Sequence, residues 1–268
     1  MNRKGKIVLG ILAGAALLVG GISVGVGNYF VNYALVRAET GEKEVSPAPD
    51  PTMRQEDIQE IARNREVIDH QREKWVAQSP PEVVEITSQD GLKLSGDVFA
   101  QPEGSSRWVI LVHGYNSRRE NMRNIGSFYA QQGYQVLLPD MRSHGQSEGT
   151  YIGMGWLDRM DILQWVDFIL ERDPQAEIVL HGVSMGASTV LMTAGEELPV
   201  QVKAVVEDCG YTSVWDIFED ELDYLFDLPS FPVLDLSSAV ARARAGYDLK
   251  EASALEQVKK SQVPILFI

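Results

Sequence analysis

One serine of this sequence stands in a pattern that supports nucleophilic chemistry. Residues 182–186 read Gly-Val-Ser-Met-Gly, which fits the spacing G-x-S-x-G with Ser184 at its centre. A short apolar run at 178–180 precedes the pattern and is typical of a buried strand, while 187–194 supply small residues and good helix formers. Strand, sharp turn and helix form the context in which such a serine presents its hydroxyl to a substrate. We therefore predict that Ser184 is a nucleophile.

The acid and the base that would assist this serine are harder to find. All four histidines of the chain precede Ser184: His70, His113, His144 and His181. Asp208 follows the apolar run 202–206 and is a candidate acid, although capping of the next turn explains an aspartate there equally well. Neither explanation supplies a base, and a serine hydroxyl without one is a poor nucleophile at neutral pH. We therefore predict that this polypeptide is inactive or nearly so.

The remaining reactive side chains are predicted to have structural roles. His113 follows an apolar run and is expected to order the turn after its strand, not to act as the base. Asp140 and Arg142 are expected to form a structural pair in place of a metal or acid–base site. Cys209 is the single cysteine, which excludes an internal disulfide and a cysteine-based metal cluster. We expect Cys209 to be a small buried residue, and the protein to need neither a metal nor a cofactor.

Composition and charge narrow the class of protein. The 268 residues are 44% hydrophobic and 23% charged, which is typical of a globular protein with room for one large domain and an appendage. The formal net charge of −14 argues against nucleic acid as a partner, because Lys and Arg are the residues that hold phosphates. We therefore expect no nucleic-acid partner.

The N-terminal segment is predicted to anchor the chain in a membrane. Residues 7–27 carry no charge and are mostly apolar, and a helix of that length spans a bilayer core. Arg3, Lys4 and Lys6 precede the run and are expected to stay in the cytoplasm, which places the rest of the chain outside. A cleaved signal peptide is the alternative, but its apolar core is normally shorter and no strong cleavage site follows closely.

Strand-like and helix-like stretches alternate through the rest of the chain after an opening hairpin. Two strand-like runs at 83–87 and 92–99 flank Asp90-Gly91, a strong hairpin-turn signal. The alternation that follows predicts a mostly parallel sheet with helices on both faces. Ligands bind such sheets at the carboxyl ends of the strands, and there this chain has four polar residues: His113, Asp140, Ser184 and Asp208.

Four motifs together give the sequence a specific resemblance. They are His113-Gly114, the loop 140–149, the pattern 182–186 and the apolar run 263–268. In this order and spacing they resemble the α/β-hydrolase superfamily, and within it a bacterial membrane-anchored group similar to serine aminopeptidases and esterases. The resemblance implies an α/β-hydrolase fold and cleavage of an ester, thioester or peptide-like bond in a small-molecule acyl or peptide-like substrate. A non-catalytic protein of this fold that binds a ligand or partner is the alternative.

The resemblance also implies the rest of the catalytic machinery. The oxyanion hole would come from the backbone N–H groups of Met185 and Tyr115. The acid would lie just past the run 263–268 and the histidine after one more strand, whereas this sequence stops at Ile268. We therefore expect a C-terminally truncated fold that lacks its last strand and helix, and a chain that is impaired because the triad histidine is absent.

The predicted organisation has four parts. Within the last part, residues 211–250 are aromatic and apolar and are predicted to form a small helical lid that suits an acyl substrate. In chain order the parts are 1–38, a cytoplasmic basic tip and transmembrane anchor; 39–52, a linker; 53–80, an amphipathic helical lead-in; and 81–268, the hydrolase domain.

Overall fold

The computed structural model describes residues 21, 23–37, 53–101 and 104–268. These residues form two compact units. The larger unit comprises residues 37–211 and 254–268, and the smaller one combines the described residues up to Val36 with 212–253. The predicted linker 39–52 and most of the predicted anchor lie outside the described residues. Within the part of the chain that the structure describes, no helix is both long and apolar enough to cross a membrane.

The larger unit is built on a seven-stranded sheet in the order β1-β2-β4-β3-β5-β6-β7. β1 and β2 form the predicted hairpin, β2 pairs antiparallel with β4, and every other neighbouring pair is parallel. This arrangement confirms the predicted mostly parallel sheet with an antiparallel start. The strands are β1 (Glu82–Thr87), β2 (Lys93–Phe99), β3 (Arg107–Val112), β4 (Gln135–Pro139), β5 (Glu177–Val183), β6 (Val202–Asp208) and β7 (Ile265–Phe267).

Helices connect and cover these strands, and three more form the smaller unit. The helices of the larger unit are α2 (Gln55–Gln78), α3 (Arg123–Gln131), α4 (Asp158–Arg172), α5 (Met185–Ala194) and α8 (Ala254–Val258), with a 3₁₀ turn at Arg119–Met122 before α3. The smaller unit consists of α1 (residues 23–35), α6 (Val214–Phe226) and α7 (Ser230–Arg244). The segment predicted to be a lid is therefore helical.

Apolar side chains bury the centre of the sheet on both faces. Residues 109–112 of β3 are inaccessible to solvent, as their unbroken apolar run predicts for a central parallel strand. On one face, the Trp75 ring of α2 stacks on Phe99 of β2 with ring centroids 4.1 Å apart. Every residue of α5 is buried. This helix, which follows Ser184, is consequently fixed by packing along its whole length.

A buried cluster of charges joins the segment that follows β3 to the segment that follows β4. The Arg119 guanidinium lies 3.1 Å from an Asp97 carboxylate oxygen and 3.2 Å from one of Asp140, and all three residues are buried. The backbone N–H of Arg119 also donates to Asp140 at 3.0 Å. Because each charge is compensated by direct partners, the cluster is stable in the interior, whereas a lone charge there would not be.

The predicted pair between Asp140 and Arg142 is wrong. Asp140 pairs with Arg119, and the Arg142 guanidinium donates two hydrogen bonds of 2.7 Å to Asp161 and further ones to Asp90. Asp140 thus pairs with the 3₁₀ turn after β3, whereas Arg142 pairs with the β1–β2 turn and with α4. Both residues do have structural roles, but in separate ion pairs.

We predict that Asp97→Asn lowers the free energy of unfolding by about 3 kcal/mol, because it removes the buried carboxylate that pairs with both Arg119 and Arg123. Urea denaturation followed by circular dichroism measures this change. Asp167→Asn on the exposed face of α4 is the matched control, for which we expect a change within about 0.5 kcal/mol. Equal stabilities of the two variants would contradict the role assigned to the charge cluster.

Candidate active site

Ser184 occupies a sharp bend between β5 and α5, as the sequence predicts. Its backbone has φ 55° and ψ −118°, a conformation that residues other than glycine seldom adopt. The residue is exposed, and its N–H donates to the carbonyl oxygen of Asp208 at 2.8 Å. The strand, the bend and the helix thus leave the hydroxyl of Ser184 accessible at the carboxyl end of the sheet.

The glycines on either side of Ser184 make the bend sterically feasible. A Cβ on Gly182 would overlap the carbonyl group of Gly186, and a Cβ on Gly186 would overlap the carbonyl group of Val112 at the end of β3. Backbone therefore packs directly on backbone at two points. This close approach brings the first turn of α5 against the end of β3 and fixes the position of Ser184.

The loop after β3 passes beside the serine. A Cβ on Gly114 would lie 3.3 Å from Cβ and 3.8 Å from Oγ of Ser184. The next residue, Tyr115, is exposed. On the other side, Met185 is the first residue of α5, where backbone N–H groups have no partner within the helix and the helix dipole favours negative charge. The structure thus brings Ser184, Gly114-Tyr115 and Met185 into one small region.

His113 is a structural residue, as the sequence predicts. Its Nδ1 lies 2.9 Å from the carbonyl oxygen of Gly114, and its Nε2 accepts a 3.0 Å hydrogen bond from the N–H of Met141. An imidazole with these two partners is neutral and carries its proton on Nδ1. Burial, together with the neighbouring His144, lowers the pKa of His113 to about 3. With both nitrogens engaged, His113 ties the end of β3 to the start of the loop after β4.

The other three histidines also lie in settings unrelated to proton transfer from Ser184. His144 is buried, and its Nδ1 bonds the carbonyl oxygen of Arg142. His181 is buried on β5, with Nδ1 3.1 Å from the hydroxyl of Tyr129. Burial lowers the pKa of both imidazoles. His70 is exposed on α2.

Asp208 ends β6 and contacts the serine through its backbone. Its carbonyl oxygen accepts the Ser184 N–H, and its side chain is half-buried. Capping of the next turn does not explain this aspartate, because Glu207 accepts the N–H of Gly210 and Ser213 caps α6. The carboxylate of Asp208 therefore makes no capping hydrogen bond, and Asp208 stays a candidate acid.

Cys209 is exposed, so the prediction of a buried cysteine is wrong. The chain leaves β6 at this residue with φ 53°, which turns the side chain out of the sheet that buries its predecessors. Partial burial and the neighbouring carboxylates still raise the pKa of the thiol, which keeps it protonated at neutral pH. Among the described residues, no group of three or more His, Cys, Asp and Glu side chains is arranged to hold a metal ion.

Comparisons with known proteins point to hydrolases. The family model described as Hydrolase_4, serine aminopeptidase S33, matches residues 104–215. YqkD of Bacillus subtilis is 29% identical over 188 residues, 68% of this chain and 60% of its own length. A thermostable monoacylglycerol lipase of Bacillus sp. H-257 is 24% identical over 58% of this chain and 70% of the lipase. The Pyrococcus furiosus esterase Pf2001 superposes with a TM-score of 0.56 at 26% identity, covering 71% of this chain and 70% of the esterase. This chain thus spans about 60% of the length of YqkD.

We predict that His113 stays neutral in the folded protein at pH 5. In the unfolded chain its pKa returns to the ordinary 6.5, so unfolding takes up a proton below that pH. The contribution of His113 to the free energy of unfolding therefore falls as the pH drops from 6.5 towards 3. Nitrogen-15 NMR of the imidazole measures its protonation directly, with the urea-unfolded chain as the control. A folded-state midpoint near 6.5 would contradict the two hydrogen bonds assigned to this ring.

Proposed function

We propose that this chain, which belongs to the α/β-hydrolase superfamily, is a serine hydrolase that cleaves an ester, thioester or peptide-like bond. The observation that carries the proposal is the bend at Ser184, where an exposed hydroxyl sits at a strained φ directly before the first turn of a buried helix. Strain of this kind persists only where the surrounding structure enforces it, and it concentrates at functional sites.

In the proposed mechanism of this polypeptide, Oγ of Ser184 attacks the carbonyl carbon of the substrate and its proton passes to solvent water, which is a weak base. The carbonyl oxygen becomes an oxyanion, which the backbone N–H groups of Met185 and Tyr115 bind. The position of Met185 at the start of α5 and of Tyr115 beside Gly114 supports this assignment, as does the dipole of α5. Collapse of the tetrahedral intermediate expels the leaving group and leaves an acyl-enzyme, which water then hydrolyses.

The proton acceptor is the incomplete part of this site. No histidine follows Ser184 in the sequence, and the buried His113 is committed to two hydrogen bonds. We propose Asp208 as an alternative acid, because its backbone carbonyl oxygen accepts a hydrogen bond from the Ser184 N–H and its carboxylate caps no turn or helix. We further propose that the polypeptide 1–268 reacts slowly, since an oxyanion hole without a base gives only residual catalysis.

The proposed substrate is a small acyl or peptide-like molecule. Esterase and monoacylglycerol lipase are the activities named for two of the similar proteins, and both act on acyl esters. The segment 211–250, which we propose as a lid, is helical and carries exposed apolar side chains. These features favour an ester or thioester with an apolar acyl group.

We also propose a membrane location. The uncharged run 7–27 has the length of a bilayer span, and the basic residues before it favour a cytoplasmic N-terminus with the hydrolase domain outside. The second candidate function is a non-catalytic protein of the same fold that binds a ligand or partner. The engagement of both ring nitrogens of the buried His113, which leaves it unable to accept the proton of Ser184, favours this candidate.

Labelling by a fluorophosphonate, which phosphonylates activated serines, separates the two candidates. We predict slow labelling of the polypeptide at Ser184, located by peptide mass spectrometry, and complete loss of labelling in Ser184→Ala. Ser117→Ala removes another hydroxyl from the loop after β3 and is the matched control that should label normally. Labelling that survives in Ser184→Ala, or no labelling after prolonged exposure, would favour the binding protein.

Gly114→Ala tests the geometry around the hydroxyl. The added Cβ meets Ser184 Cβ at 3.3 Å, a tight contact that is relieved when Ser184 shifts by a few tenths of an ångström. We predict an about tenfold slower labelling rate at unchanged thermal stability, since small misplacements of a reacting group cost large factors in rate. Gly25→Ala is the control, because a Cβ there meets nothing within 4 Å. Equal labelling rates for both variants would show that the loop does not position Ser184.

A further inference from the structure

The connection between α6 and α7 is unusually apolar for an exposed segment. Residues 224–232 read Tyr-Leu-Phe-Asp-Leu-Pro-Ser-Phe-Pro, with one charge among them. Tyr224 is 85% exposed, Phe231 is 75% exposed, and Leu225 and Leu228 are also exposed. We call residues 224–232 the aromatic tip. Neighbouring apolar side chains that are exposed together mark a site of contact with another apolar surface.

The aromatic tip is fixed to α1 inside the smaller unit. The ring of Phe226 lies 5.2 Å from that of Phe30 and 5.4 Å from that of Tyr33, both at nearly perpendicular angles. Such edge-to-face pairs are favourable arrangements of aromatic rings. Phe226 thereby joins the end of α6 to the outer half of α1.

α7 is fixed to the same helix. Gly27 packs so closely that a Cβ there would lie 2.7 Å from both the carbonyl oxygen of Leu236 and the Val240 side chain. Arg244 donates to the side-chain oxygens of Asn28 at 2.6 Å and Asn32 at 2.7 Å. Residues further along α7 thus contact residues further along α1, so the two helices run in the same direction. The start of α7, with Phe231, therefore lies towards the amino end of α1.

The position of these contacts along α1 sets the depth of the aromatic tip. Gly27 ends the mostly apolar run 7–27, because the polar Asn28 follows it, and Phe30 and Tyr33 lie three and six residues further on. At the helical rise these residues lie about 5 and 9 Å beyond the end of the run. If the run spans a bilayer, Phe226 is held within the thickness of the lipid headgroup layer.

We propose that the aromatic tip inserts into the outer headgroup region of the bilayer that takes up residues 7–27; this inference rests on the membrane location proposed above. Tyr29 and Tyr33 are exposed on α1 and belong to the same layer, where amphipathic aromatic rings are enriched. The smaller unit then touches the membrane at two points, the anchor and the aromatic tip, and its orientation to the bilayer is fixed.

The charge near the aromatic tip favours contact with zwitterionic lipid over contact with anionic lipid or with a second copy of the chain. α6 carries five exposed carboxylates: Asp216, Glu219, Asp220, Glu221 and Asp223. A second copy docking on the aromatic tip would bring an identical acidic helix towards this one, and anionic headgroups would be repelled as well. Zwitterionic headgroups carry no net charge, so the apolar side chains can enter them without that penalty.

Fluorescence quenching by nitroxide lipids tests the proposal on the full chain in zwitterionic vesicles. Phe231→Cys in a Cys209→Ser background carries an environment-sensitive dye, and Tyr224→Cys is a second position. Ala243→Cys, which is exposed at the opposite end of α7 from Phe231, is the matched control. We expect a blue-shifted dye at 231 and 224 that loses about half of its emission to nitroxides near the headgroup and less to those at the chain end. The dye at 243 should be unaffected, because twelve residues of helix separate it from Phe231.

Two further readouts separate this inference from the proposed hydrolase. Resistance to alkaline extraction reports the anchor, and fluorophosphonate labelling in detergent reports Ser184. An anchored chain without quenching at 231 and 224 overturns the inference and leaves the hydrolase proposal standing. A dye whose emission changes with the number of protein copies per vesicle, and not with nitroxide lipid, would assign the aromatic tip to a contact with a second copy. That result would also overturn the inference. Extraction of the chain overturns both the anchor and the inference, while serine labelling still tests the hydrolase.

Discussion

The contact of backbone with backbone around Gly182 and Gly186 is the constraint on which the site depends. It leaves no space for a Cβ at either position, so it draws the end of β5, the first turn of α5 and the end of β3 into one compact junction. The side chain of Ser184 has no room on the inner side of this junction. Ser184 therefore takes a positive φ, and its side chain is exposed. Burial of all of α5 keeps this junction rigid, because a fully packed helix cannot shift without opening cavities. A single steric constraint thus determines where the hydroxyl of Ser184 stands.

Buried polar groups hold the loops that surround this junction. The imidazole of His113 ties the loop after β3 to the N–H of Met141, and Arg119 ties the same loop to Asp97 and Asp140. These groups are stable in the interior because each has compensating partners, and for the same reason they allow little variation in loop position. Gly114 therefore passes close to Ser184 without itself being anchored by a side chain. Ser184 is exposed, whereas the side chains that hold the loops around it are buried.

Local patterns in the sequence predicted the fold well, and the partners of buried charges poorly. The apolar run of β3, the Asp90-Gly91 turn and the G-x-S-x-G spacing each reflect short-range physics, namely burial, turn geometry and steric room. The predicted partner of Asp140 was wrong because Arg119, on a different segment, pairs with it in the folded chain. Spacing along the sequence does not indicate such a contact. Cys209 was mistaken because its exposure follows from a positive φ at the strand end, which a cysteine does not signal. The contact of α1 with α6 and α7 was equally invisible, since it joins segments about two hundred residues apart.

A crystal structure of the protein phosphonylated by a fluorophosphonate tests the central claim most directly, because the adduct places a tetrahedral oxygen where the oxyanion would form. The account predicts phosphorus bonded to Oγ of Ser184, with its free oxygen about 2.7–3.1 Å from the backbone nitrogens of both Met185 and Tyr115. A phosphoryl oxygen directed into solvent, or an adduct on another residue, would contradict it.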